Sequence, residues 1–167
     1  MKKTLLWSLL VVVGLMFMGC PYHSDVAIDT TPSVKIDTKL LGKWQKRSSD
    51  EDTYVVTQKD ANTYEILDKE KTPSEGSEPK KYIAFISNVG GAKFLNLYEN
   101  KSGDDSKSYY FYKLEISDET DAFSLSPVTE YITETFTSSD DLKKFVQTNM
   151  GLSFFYASKD EYIKVGK

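Results

Sequence analysis

Tyr109-Tyr110-Phe111-Tyr112-Lys113-Leu114-Glu115-Ile116 is the stretch whose reading decides the fold. Successive side chains of an extended chain point to opposite faces, so Tyr110, Tyr112, Leu114 and Ile116 share one side and Tyr109, Phe111, Lys113 and Glu115 the other. The first set predicts a core face. The second predicts a mostly wet one, as in antiparallel sheets that cover a core on one side only. Aromatic and β-branched residues suit such a pleated, half-buried surface.

Similar short runs lie on both sides of this strand, which itself extends back to Lys107. They are Gly42-Lys43-Trp44-Gln45, then Thr53 to Gln58, Asn62 to Leu67, Lys81 to Ser87, Lys93 to Tyr98, Ala122 to Ser126, Ser153 to Ala157 and Glu161 to Val165. Between them stand turn residues: Asp60-Ala61-Asn62, Gly90-Gly91, Ser102-Gly103-Asp104, Asp118 to Asp121 and Lys159-Asp160. No helix separates the earlier strands, so the class is mainly β. The expected fold is an antiparallel meander that closes into a barrel of about eight or nine strands.

One helix is expected, from about Ser139 to Met150, before a C-terminal hairpin. Ser138 followed by Asp141 fits a capping box, and Leu142, Phe145, Val146 and Met150 share one stripe. Gly151 reads as a left-handed stop. The stripe predicts packing on the outside or mouth of the sheet. If the strands run up and down in order, the long polar connections at 46–52, 68–80, 99–106 and 127–151 gather at one end, leaving tight turns at the other. Such a barrel has a closed floor and a loop-rimmed mouth, where binding usually resides.

Ahead of this domain the chain begins Met1-Lys2-Lys3, continues with an apolar run from Leu5 to Met18, and reaches Gly19-Cys20. A short cationic start, an apolar segment and a small residue make a secretory signal, and the run falls short of the roughly 18 to 20 residues of a membrane span. The expected organisation is a signal peptide at 1–19, a flexible stalk at 20–39 and the β domain at 40–167. Loss of Lys2 and Lys3 reduces 21 basic side chains to 19 against 25 acidic ones, a net charge of −6. That charge argues against nucleic acid, whose phosphates require a basic stripe.

No catalytic set can be assembled from these residues. The single histidine, His23, falls in the expected stalk, and no serine sits in a nucleophile elbow or beside a general base. The acidic clusters Asp50-Glu51-Asp52, Asp104-Asp105, Asp118-Glu119 and Asp140-Asp141 read as turns and a helix start. Calcium-loop and zinc spacings are absent from the sequence, so no metal and no cofactor are expected. The 22 aromatic residues either fill the barrel or line a ligand cavity, with filling the first expectation. Tyr109 and Phe111, placed on the outward side, suggest an exposed patch for a protein partner.

Three resemblances add to this reading. Gly19-Cys20 after an apolar run resembles the lipobox of bacterial lipoproteins, which implies acyl chains on Cys20 and attachment to a membrane of the cell envelope. Pro21 after that cysteine differs from the aspartate of the inner-membrane retention signal, which favours the outer membrane where the organism has one. Asp29-Thr30-Thr31 resembles a short acceptor pattern for surface O-glycosylation at Thr30, though an ordinary solvated linker is the first reading. Gly42-Lys43-Trp44 at the start of a meander resembles the lipocalins and lipocalin-like families. That resemblance implies Trp44 packed across the barrel floor and a small apolar ligand inside. The family's late arginine is missing, since Arg47 is the only arginine, and Lys164 is its nearest substitute. The function expected is a non-enzymatic, membrane-anchored binding module for a small apolar ligand. The alternative is a structural lipoprotein with a filled barrel and a partner on its loops or edge.

Overall fold

The computed structural model describes residues 21–49, 52–70, 79–101, 103, 106–119 and 121–166. The expected signal peptide and Cys20 lie outside them. A two-residue strand, β1 (His23–Ser24), precedes β2 (Gly42–Lys46), β3 (Asp52–Gln58), β4 (Thr63–Glu70) and β5 (Lys80–Val89). There follow β6 (Ala92–Glu99), β7 (Tyr109–Ile116), β8 (Ala122–Pro127), a helix α1 (Ser139–Asn149) and β9 (Asp160–Lys164). Strands β2 to β9 pair antiparallel in chain order, and β9 returns to β2, so eight strands close a barrel. β1 is an addition on the free part of β7, opposite Tyr109 and Tyr110.

The alternation in β7 sets the layers. Tyr110, Tyr112 and Leu114 face the interior beside Leu95 and Leu97 of β6 and across from Val56, Tyr64 and Ile66. Tight turns join β3 to β4, β5 to β6 and β7 to β8 at the floor end. At the first, the Asp60 carboxylate accepts the Asn62 and Thr63 amides, both at 2.9 Å. At the second, Gly90 and Gly91 take φ of +55° and +85°, the paired left-handed geometry that matches strand twist in a two-residue hairpin. A Cβ at Gly90 would also meet the Met150 methyl, the free end of a flexible side chain just after α1, which would have to shift.

The opposite face of β7 is wet at Glu115, as alternation predicts, but at Tyr109 and Phe111 it is not the exposed partner patch expected. Phe111 is 0% exposed and Tyr109 is half-buried. Phe94, Phe111, Leu142, Val146 and Phe155 form a second apolar layer outside the barrel wall. α1 supplies the cover, its start capped by the Ser138 hydroxyl accepting the Asp141 amide at 3.4 Å. Its end differs from expectation, since Gly151 does not adopt the left-handed conformation. Instead the Met150 amide continues the helical bonding to Val146 and the chain turns through Leu152 to Asn149.

The expected C-terminal hairpin is also absent. Ser153–Phe155 forms a 3₁₀ turn, Tyr156 makes an isolated bridge to Val128, and β9 pairs only with β8 and β2. Aromatic content made 153–157 look like a strand. Burial of Phe155 against Phe145 of the helix stripe, with ring centres 6.1 Å apart, wins over pairing with β9.

The segment read as a flexible stalk is corrected as well, since its described part is packed from its start. Tyr22, Ala27 and Ile28 are buried. The Ile28 amide donates to Asn96 Oδ1 at 2.9 Å, while the Asn96 amide group donates to Ser87 Oγ at 2.9 Å. Lower down, the Ile36 amide reaches the Ala61 carbonyl and the Asp37 amide reaches the Tyr64 hydroxyl. The segment therefore descends the outer wall from mouth to floor. There a 3₁₀ turn, Thr38–Leu40, tucks Leu40 beneath the barrel. Its few apolar residues carry no periodicity because each meets a different part of the wall.

Candidate functional site

The interior is not filled. A cavity of about 420 Å³ lies within the barrel, above the ~300 Å³ at which ligand pockets begin. It therefore corrects the first expectation of a filled core. Leu40, Val56, Tyr64, Leu95 and Leu114 line its lower part, with Leu97 and Leu125 above them. Strand direction places Asp68, Tyr82, Glu99 and Tyr110 toward the mouth end. Pro21 lines the same cavity.

Trp44, the residue expected at the floor, is 2% exposed and belongs to the interior cluster. Its indole N–H donates to the Leu40 carbonyl at 2.8 Å. The Phe123 ring meets it edge-on at 4.6 Å, and Tyr162 stacks on Phe123 at 5.0 Å. This aromatic series runs from floor into wall. Phe123 and Tyr162, its later members, line the cavity.

The tyrosines of the upper wall are held in their neutral form. Burial, followed by the charges of Asp68 and Glu99, pushes the Tyr82 hydroxyl up to about 12. Burial first, then neighbouring Tyr82, Tyr110 and Asp160, pushes Tyr112 up to about 12 as well. Tyr162 is raised by burial and then by Tyr54, Asp160, Tyr112 and Asp68. Neutral phenols both donate and accept hydrogen bonds, so this belt can orient the polar end of an otherwise apolar molecule.

Comparison with family models, with curated proteins and with solved structures finds no match. Among the described residues, no helix is long and apolar enough to cross a membrane, and no group of His, Cys, Asp and Glu is arranged to hold a metal.

The sequence-predicted positions separate in space. Trp44 packs in the interior cluster beside Leu40 without lining the cavity, Tyr109 and Phe111 belong to the layer beneath α1, and Cys20 lies outside the described residues. His23 is exposed on β1, with its ring 6.0 Å from that of Tyr110. Thr30 is exposed, next to Asp29, which forms an ion pair with Lys143 of α1 at 2.6 Å. Sequence reasoning missed Asp68 and Glu99 as cavity residues. Their signal is a two-residue step: Tyr64-Ile66-Asp68 and Leu95-Leu97-Glu99 each continue an inward apolar series to an acid near the mouth.

Proposed function

We propose that this protein is a non-enzymatic lipoprotein of the cell envelope, held to a membrane by acyl chains on Cys20, whose lipocalin-like barrel binds a small apolar ligand. The observation that carries the reading is the 420 Å³ interior cavity with its mainly apolar wall. At roughly 30 Å³ for each water-sized unit, it holds about fourteen heavy atoms. The N-terminal side supports the same reading. Pro21, which follows Cys20 directly, contributes to the cavity wall, so a ligand drawn from lipid has a short path from anchor to barrel. Outer-membrane residence is the favoured location where the organism has that membrane.

The test is organic extraction of the full chain purified from cells, followed by mass spectrometry, with a Leu97→Trp variant alongside. One apolar species at near-stoichiometric yield from the wild type, and absent from the variant, supports the reading. Equal extracts from both proteins overturn it. Failure of labelled palmitate to enter the chain, or an unchanged membrane fraction for Cys20→Ser, overturns the anchoring half independently.

One observation favours a second reading, in which a protein partner docks on the connection between β8 and β9. Tyr131 and Phe154 are each 69% exposed there, whereas the residues first expected to serve, Tyr109 and Phe111, are covered. Site-specific crosslinkers at positions 131 and 154 trap one defined neighbour in intact cells if this reading holds.

A further inference from the structure

The barrel wall changes hands at Phe111. Below that residue one edge of β7 is covered by β8, from Tyr112 opposite Pro127 to Ile116 opposite Phe123. Above it, Tyr110 and Tyr109 pair instead with His23 and Ser24 of β1, whose far edge pairs with no strand among the described residues. The two covers meet through Val128, whose amide donates to the Phe111 carbonyl at 2.9 Å and whose carbonyl accepts the Tyr22 amide at 3.1 Å. Each side of this seam carries a proline, Pro21 or Pro127, which has no N–H with which to bridge it. Pro21 lines the cavity, so the ligand space lies directly behind the seam.

Tyr22 holds β1 shut. Its ring is 7% exposed, with its centre 6.0 Å from that of Phe111, and its hydroxyl donates to the Glu134 carbonyl at 2.9 Å. Tyr22 packs with the outer layer and is not a cavity residue. Ser24 and Ala27 are buried too, but each is small. The next side-chain fastening is at Ile28, on Asn96. A two-residue strand with a free edge opens at low cost compared with the longer pairings around it.

We propose that the ligand enters and leaves through the side of the barrel, at the seam between β7 and β8, with β1 as the gate, Tyr22 as its latch and Ile28 as its hinge. This deepens the reading of the barrel as an apolar-ligand carrier and rests on it. Opening breaks the two β1 pairs and the latch while every pairing among β2 to β9 stays closed. Pro21 follows Cys20 directly, so the gate is the part of the barrel tied most closely to the membrane.

The experiment uses the full chain in nanodiscs of zwitterionic phospholipid and the fluorescent apolar probe N-phenyl-1-naphthylamine, with entry and exit rates read by stopped flow. Leu97→Trp supplies the background from nanodisc lipid. Ser24 and Tyr109 are direct cross-strand partners, and such partners have a Cα separation that a disulfide can span. Oxidised Ser24→Cys/Tyr109→Cys, its crosslink verified by mass spectrometry, is expected to take up and release the probe at least about tenfold more slowly than the same protein after reduction, at equal affinity. Tyr22→Ala should move both rates the opposite way, about tenfold faster than wild type. Rates that oxidation leaves unchanged, or wild-type rates in Tyr22→Ala, mean entry through the mouth and overturn the gate while leaving the cavity reading intact. Slower entry with unchanged exit marks a damaged site and likewise overturns the gate. Probe binding that is equal in wild type and Leu97→Trp overturns the cavity reading, and the gate with it. Should the first cysteine pair not fold, His23→Cys/Tyr110→Cys, its neighbour in the register, carries the same comparison of oxidised with reduced protein.

Discussion

Lys164 Nζ lies 5.2 Å from the centre of the Trp44 ring, across the register where β9 closes onto β2. The lysine stem crosses Gly42, where a Cβ would stand only 2.8 Å from Lys164 Cε, and Gly42 itself has φ of +136°. The glycine leaves room for the stem, the ammonium sits over the indole, and the indole N–H holds Leu40 beneath the barrel. Gly42 and Trp44 are thus coupled through a residue more than a hundred positions later. A lysine performs this as a point charge, without the planar stacking that an arginine would add.

Loss of that contact is expected to cost stability at the seam. Lys164→Ala should lower unfolding free energy by about 0.5–1 kcal/mol, and a double-mutant cycle with Trp44→Leu should return a coupling of that size. Gly42→Ala should cost about 1–3 kcal/mol, since it adds backbone strain and displaces the lysine. Urea denaturation measures all three. A coupling of zero would mean that Lys164 and Trp44 do not stabilise one another.

Asn96 is the buried polar fastening of the N-terminal segment. Asn96→Leu leaves the Ile28 amide without its acceptor, an expected loss of about 1–3 kcal/mol. The larger effect should be local: faster hydrogen exchange at Ile28 and new protease cleavage between 25 and 36, with the barrel strands still protected. Protection at Ile28 equal to wild type would show that apolar packing alone holds the segment.

How far these features were legible in the sequence follows from which forces act locally. The strands and their order were readable because period-two alternation and turn residues such as Asp60 and Gly90 act over a few positions. The covered outer face of β7 was not, because Lys113 and Glu115 gave the alternation a wet appearance while the cover for Phe111 comes from α1, some thirty residues later. The 21–40 segment looked like linker for the same reason, since its order is supplied by distant partners such as Asn96 and Ala61. At the floor, Trp44 was marked by the glycine two positions before it. Asp68 and Glu99 were hidden because an acid at a strand end is usually solvent-facing.

The correction at β7 carries its own expectation. Phe111→Ala should destabilise the fold by about 3–5 kcal/mol through the void it leaves beneath α1. Phe154→Ser, at a side chain that is 69% exposed, should change stability by no more than about 0.5 kcal/mol. Thermal and urea unfolding of the two variants make the comparison. Similar values for both would mean that α1 does not bury Phe111 in solution.

High pH should unfold the barrel through its tyrosines. Burial, ahead of nearby negative charge, pushes Tyr82, Tyr112 and Tyr156 up to about 12 and raises Tyr162 as well. In the unfolded chain these groups ionise near pH ~10. The folded state therefore holds more protons than the unfolded one above that value, and stability falls as pH rises. The contribution is fully present below about pH 10 and is lost by about pH 12. Melting temperature should thus stay level up to about pH 9.5 and drop steeply through the next two units. Tyrosinate absorbance near 295 nm should include a late component that appears together with unfolding. Completion of the tyrosine titration by about pH 11 with the circular dichroism of the barrel unchanged would show that these hydroxyls reach water in the folded protein.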